Sequence, residues 1–417
     1  MPPSSLLSFF KKLTRLLPVA VLATLVAPVF GQAKPDAGKA AAAKEGVLTL
    51  WVPKLAVQAV SNAGKDFTAK YGVEVSVQEV SFDSIRDDLK TAAPAGEGPD
   101  IIVGAHDWLG ELVANGLLEP LDLGDKAAGF DPVSLKAFTY DSKVYGLPYG
   151  LEAIALIYNK ELVPTPPATW EELKALAKKL QDGGKVDQGY GLHTGPADPY
   201  HTYPIFTGFG SYVFKQNPDG TYDPSDLGLD NEGGQEAMRE LNSMVKAGLL
   251  RQNIGGSDID SLFVAGKIAM VIDGPWRLPD LRKSGIKYGI AKIPTMKQQP
   301  IPFVGAQGFM VSALGKNKEV AKAFLVEFMA DDASMKSIYD ADPRIPAWLA
   351  TQKAVTDPDI AAFAASAATG QPMPAIPQMS KVWTDWGKAL NLVFQQSEDP
   401  AKAIKNAATS IRAQIKP

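Results

Sequence analysis

Apolar and polar positions along this chain change period several times, and each change predicts an element. Val47 to Val52 is a compact apolar run that reads as a strand. Val57, Val60, Gly64, Phe67 and Tyr71 then recur at helical spacing. Val73, Val75 and Val77 alternate, as a strand does. A second helix runs through Ile85 and Leu89 to Ala93, is broken by Pro94 to Pro99, and gives way to the strand Asp100-Ile-Ile-Val103. A β-α-β-α-β order of this kind predicts a parallel, doubly wound α/β sheet. Such sheets bind ligands outside the carboxyl ends of their strands.

The same reading carries on downstream. Ala153 to Tyr158 is apolar without alternation and predicts a strand buried on both faces, with Tyr149-Gly150 a flexible joint before it. Thr169-Trp-Glu-Glu172 is a capping box, and Leu173, Leu176, Ala177 and Leu180 form the apolar face of the helix it starts. Ala237 to Val245 marks a helix, Ile268 to Ile272 a buried strand, Phe303 to Val311 a further strand and Val320 to Met329 a helix. Gln371 to Pro377 predicts a rigid loop, Met379 to Phe394 a helix bearing Trp383 and Trp386, and Ile404 to Ile415 a closing helix.

The first residues follow different rules. Lys11, Lys12 and Arg15 precede an apolar run from Leu16 to Phe30, with Gly31-Gln-Ala33 after it. This predicts a secretory signal peptide over residues 1–33, then an Ala-rich tether over 34–46. The run is short for a bilayer span and holds Pro18 and Pro28, which argues against an anchor. The expected location is therefore periplasmic or extracellular.

Composition narrows the chemistry. A chain of 417 residues can build two sizeable cores. A formal net charge of −4 implies no basic face, so no nucleic-acid partner is expected. With no cysteine there is no disulfide, thiolate nucleophile or Cys zinc site, and the three histidines form no His-Glu-x-x-His motif. No phosphate loop, Gly-x-Gly-x-x-Gly or Gly-x-Ser-x-Gly stands in the chain, so neither cofactor nor metal is expected.

The residues of interest are aromatic and acidic. Asp107 and Trp108 follow the third strand, at the expected ligand edge. Asp107 could accept two sugar hydroxyls or cap a helix, and Trp108 could stack on a ring or pack. Glu152 reads either as a carboxylate facing a cleft or as one satisfied structurally, since its burial costs free energy unless it is paired. Tyr190 to Phe214 is the most aromatic stretch and includes His193, Asp198, Tyr200 and His201. Rings beside carboxylates suit sugars, which show apolar C–H faces and polar edges. The turn Asp273-Gly-Pro-Trp276 presents Trp276 after a strand, as platform or as packing.

Gly98-Pro-Asp-Ile-Ile-Val-Gly-Ala-His-Asp107, Glu152-Ala-Ile-Ala-Leu-Ile-Tyr-Asn-Lys160, Thr169-Trp-Glu-Glu172, Ile272-Asp-Gly-Pro-Trp276, Pro302-Phe-Val-Gly305 and Ile376-Pro-Gln-Met-Ser380 with Trp383 together resemble the maltose/maltodextrin-binding proteins, secreted receptors of carbohydrate ABC importers. The resemblance covers Val47 to the end. It implies an α/β type II periplasmic-binding fold, each lobe a doubly wound, mostly parallel sheet flanked by helices: lobe 1 over 47–151, completed by about 304–357, and lobe 2 over 152–303, completed by about 358–417, closing on an α-glucan. It implies crossings at 149–153, near 303–304 and around 356–359. Residues matching Asp107, Glu152 and Asp198 would bind sugar hydroxyls, and those matching Tyr200, Trp276 and Trp383 would stack on or border the rings.

The chain departs from the enterobacterial pattern. Gly104 stands in place of a stacking Trp, Trp108 in place of an Arg, and a second Arg expected near Gly387 is missing. The Pro53 to Gln58 loop lacks its expected acidic residue. It looks closer to thermophile-type members, in which Trp108 would replace the lost platform. The implied protein is a monomeric, non-catalytic receptor that delivers maltose, malto-oligosaccharides or trehalose to membrane permease subunits. The rival reading is a secreted glycosidase using Glu152 with Asp107 or Asp198.

Overall fold

The computed structural model describes residues 46–415. The predicted signal peptide and all but the last residue of the tether lie outside them. Two mixed sheets organise the described chain. The larger orders its principal strands as Ile345–Pro346, Gly146–Glu152, Phe303–Ser312, Ile101–Ala105, Val47–Val52 and Glu74–Glu79. Val47–Val52 pairs in parallel with both Glu74–Glu79 and Ile101–Ala105, as the opening β-α-β-α-β pattern predicts. The sheet is nonetheless mixed, because Phe303–Ser312 inserts antiparallel between Ile101–Ala105 and Gly146–Glu152. The smaller sheet runs Tyr288–Ala291, Ala155–Asn159, Ile268–Asp273, Gln188–Gly191, and only its last pair is parallel.

The helices form where periodicity places them. Val57–Tyr71 buries Val60, Phe67 and Tyr71 along one face and ends at Gly72, whose φ of 73° is the left-handed conformation that glycine adopts without strain. Thr169 and Glu172 make both halves of the capping box at the start of Trp170–Asp182. The helix Met379–Phe394 has the predicted limits. Lys318–Phe324 gives way to a π turn over Leu325–Met329 inside the predicted helix.

One joint moves. Tyr149 and Gly150 lie inside the strand Gly146–Glu152, where Gly150 is paired with Gln307 on one side and Pro346 on the other. Their Pro-Gly neighbourhood looked like a hinge, but hydrogen-bonded partners on both flanks make it sheet. The strand ends at Glu152, and Ala155–Asn159 begins the smaller sheet after Ala153-Ile154. Separate apolar clusters back the sheets: Leu48, Leu50, Val103, Phe309 and Phe324 on the larger, Leu156, Tyr190, Phe206, Met270 and Trp386 on the smaller. Among the described residues no helix is long and apolar enough to cross a membrane.

Candidate functional site

Two strand ends present equivalent turns. Ile101–Ala105 runs into a 3-10 turn over His106–Trp108, and Ile268–Asp273 runs through Gly274 into one over Pro275–Arg277. In each, a tryptophan ring folds back over a glycine. A Cβ on Gly104 would lie 2.2 Å from the Trp108 ring, and one on Gly274 would lie 2.0 Å from the Trp276 ring. Only glycine leaves room for either ring.

The two rings have different surroundings. Trp108 is 7% exposed, 5.0 Å from the Phe82 ring, in a cluster with Ile85, Leu109 and Met310. Trp276 is half-buried and 6.2 Å from the Tyr200 ring.

From Tyr200 a line of contacts runs on. Tyr200 lies 6.4 Å from Phe303, and Phe303 lies 5.8 Å from Trp383. The Trp383 indole N–H donates to Asp107 Oδ2 at 3.1 Å. Four of the sequence-predicted residues (Trp276, Tyr200, Trp383 and Asp107) thus stand in one continuous line, with Phe303 as the missing link. The Tyr200 hydroxyl is buried and has no hydrogen-bond partner among the described residues. An orphaned buried hydroxyl is costly unless something else meets it.

The three predicted carboxylates are each held. Asp107 is buried, and burial raises its pKa against the opposing pull of His106 and the Trp383 N–H. Glu152, also buried, is ion-paired with Arg344 and accepts from the Gln307 side-chain amide at 2.9 Å. It therefore does not wait unpaired for a ligand; its partner comes from the segment before Ile345–Pro346. The Arg344 guanidinium also lies 5.7 Å from the Trp276 ring centroid and donates through Nε to Asp342 at 2.9 Å. Asp198 caps the helix Pro199–Gly208 through the Tyr200 N–H and accepts from His201 Nδ1 at 2.6 Å. Burial works to raise the Asp198 carboxyl, but His201 holds it below the usual carboxylate range.

Beneath Asp198 and Trp276 lies a charge network. His201 Nε2 is 3.4 Å from Asp273 Oδ1; Asp273 accepts from Arg277 at 3.0 Å, and Arg277 also pairs with Asp260. Burial opposes a charge on His201, yet Asp198 and Asp273 push its pKa up to about 10. Burial and the His201 charge push the stacked His193 down to about 4. Ligand atoms of His193, His201 and Asp273 lie within 4.8 Å of one another. The imidazole planes are only 21° apart at 4.2 Å, however, so their lone pairs lie in nearly parallel planes and do not converge on one ion.

His201 and His193 were visible in the sequence only as members of an aromatic stretch. Arg344 and Arg277 gave no signal, because pairing between remote segments leaves no local pattern.

This architecture, with the half-buried rings of Tyr200, Trp276 and Trp383 beside buried acids at the ends of strands from two sheets, has a family to match. Over residues 62–401 the chain matches the bacterial extracellular solute-binding proteins and belongs to that family. It is 32% identical over 398 residues to the galactooligosaccharide-binding protein of Bacillus subtilis (strain 168), covering 92% of this chain and 93% of the relative. It is 30% identical over 394 residues to the maltodextrin-binding protein MdxE of the same organism, covering 91% of each. It is 30% identical over 326 residues to the maltotriose-binding protein of Pyrococcus abyssi (strain GE5 / Orsay), covering 76% of this chain and 69% of the relative.

Proposed function

We propose that this protein is the receptor of a carbohydrate importer, holding malto-oligosaccharides between two lobes that close around them and presenting them to membrane permease subunits. The lobes are built on the two sheets. The binding groups are Asp107, Glu152, Asp198, Tyr200, Trp276 and Trp383, with Trp108 as the wall behind Asp107. The observation that carries this reading is the unbroken line Asp107–Trp383–Phe303–Tyr200–Trp276 with the orphaned Tyr200 hydroxyl on it. Rings offer faces to sugar C–H groups, and held carboxylates offer strong acceptors to hydroxyl pairs. The names of the maltodextrin- and maltotriose-binding relatives support the ligand class.

The acids suit holding better than cleaving. A glycosidase needs one carboxyl as a proton donor and a second across the bond. Glu152 is ion-paired with Arg344, and His201 holds Asp198 below the usual carboxylate range. Asp107 is raised by burial, as a proton donor needs, but its carboxyl is taken by the Trp383 N–H.

A thermal-shift panel of maltose, maltotriose, maltotetraose, trehalose, sucrose and a galactobiose series tests the reading. Maltotriose is expected to raise the melting temperature with concentration; a ligand at a hundred times its Kd adds about 2.7 kcal/mol. A response to the galactose series alone would overturn the malto-oligosaccharide assignment. Release of glucose from maltotriose by the pure protein would overturn the receptor assignment.

A further inference from the structure

We propose that His201 is a positioning residue: its imidazolium ties the Asp198 carboxylate to the turn that carries Trp276, so that capture of sugar by these two groups depends on the charge of a side chain that touches no sugar. The inference rests on the reading of Asp198 and Trp276 as sugar-binding groups.

The geometry needs two N–H groups on one ring. Nδ1 meets Asp198 Oδ2 at 2.6 Å, shorter than a neutral N–H···O bond. Nε2 faces Asp273 Oδ1 at 3.4 Å. A neutral imidazole has one N–H and one lone pair, so it would turn the lone pair toward one of the two carboxylates and repel it. The imidazolium satisfies both.

The two carboxylates do different things. Asp198 also caps its own helix by accepting from the Tyr200 N–H at 2.8 Å, which fixes where Tyr200 stands. Asp273 accepts from the Gly274 N–H at 2.7 Å and from Arg277 at 3.0 Å, and so pins both ends of the turn from which Trp276 projects. The His201 ring itself stands edge-on to Trp276, 5.9 Å away at 88°. One charge thereby sets a carboxylate, a phenol and an indole relative to one another.

The surroundings call for that charge. Asp198 caps His201's own helix, and Asp273 ends the neighbouring strand. Asp260 on Gly256–Val264 reaches the network through Arg277. The exposed Asp83, on Phe82–Ala92, feels the charges of both Asp198 and His201. Against these four acids stand Arg277 and the neutral His193 stacked on His201. A neutral His201 would leave Arg277 as the one fixed cation among these named groups.

The test has two arms on the full chain. In the first, with no sugar present, the three histidines are labelled with 15N and titrated from about pH 5 to 10. One imidazole is expected to keep both nitrogens protonated beyond about pH 8, and its signal should vanish in His201→Gln. A neutral His201 at pH 7 overturns the proposal.

In the second arm, calorimetry follows maltotriose binding from about pH 6 to 10. Wild-type affinity is expected to hold to about pH 8 and then fall, whereas His201→Gln binds about tenfold more weakly at pH 7 with a flat profile. His201→Asn places a donor near the Nδ1 position. It should lose less than the Gln variant and likewise show no alkaline fall, and it keeps the test decisive if the Gln variant misfolds. Variants with wild-type affinity and profile overturn the proposal. If wild type itself holds no sugar, the sugar reading fails separately and the imidazole titration still decides whether the charged bridge exists.

Discussion

The Trp383 indole N–H donates to Asp107 Oδ2 across 3.1 Å, joining positions 276 residues apart. Asp107 sits in the turn that follows a strand of the larger sheet, while Trp383 packs with the cluster behind the smaller one. The bond therefore aligns a ring and an acid from opposite sides of the proposed site. Trp383→Ala and Trp276→Ala are each expected to weaken maltotriose binding by about 1–3 kcal/mol, from lost ring burial. Trp383→Phe, which keeps a ring but drops the donor, is expected to cost about 1 kcal/mol. Calorimetry on the three variants checks this; unchanged affinity in both alanine variants removes these rings from the site.

Arg344 and Glu152 form a buried pair. Removing one member leaves a charge uncompensated, so Arg344→Met is expected to lower the free energy of unfolding by about 3–5 kcal/mol. Adding Glu152→Gln should restore part of that loss. Urea denaturation of the single and double variants measures the coupling, and additive losses would show that the two do not act as a pair.

Gly104 and Gly274 each lie under a tryptophan ring, so the same substitution should have different effects. Gly104→Ala pushes on a core ring and is expected to cost about 1–3 kcal/mol of stability. Gly274→Ala displaces the half-buried Trp276 and is expected to show chiefly as lost affinity. Melting curves and calorimetry on both variants separate the two effects; equal losses of affinity would place Trp108 and Trp276 in equivalent roles.

The histidines give stability opposite pH dependences. The His201 pKa is pushed up to about 10 from an ordinary value near 6.5, so the folded state binds this proton more tightly than the unfolded chain. Its contribution is full below about pH 6.5 and is lost as pH rises through about 10. His193 is pushed down to about 4, so its contribution is present above about pH 6.5 and is lost as pH falls through about 4. Melting temperature against pH should flatten on the alkaline limb in His201→Gln and on the acid limb in His193→Asn. Unchanged limbs would mean that neither ring is perturbed.

Local patterns made most elements legible. The helical spacing of Val60, Phe67 and Tyr71, the Thr169–Glu172 box and the unbroken apolar run at Ile268 each owe their form to short-range rules, and each stands where those rules put it. Pairing between distant segments was not legible. Tyr149-Gly150 looked like a joint because Pro148 and Gly150 are local breakers, yet Gln307 and Pro346 hold them in a sheet. Glu152 showed its need for a partner but not that Arg344 supplies it. The acids and rings of the site were visible as residue types; the cations that orient them were not.

The strand Phe303–Ser312 lies in the middle of the larger sheet, between two segments that both come much earlier in the chain, Ile101–Ala105 and Gly146–Glu152. A ribosome that has emitted the first 300 or so residues therefore holds a sheet with its centre missing. Ile101–Ala105 and Gly146–Glu152 keep bare edges until that strand arrives, and bare edges invite neighbouring chains. Closure late in synthesis makes folding nonlocal, and it leaves the unfinished polypeptide, more than the finished protein, open to pairing with neighbouring chains.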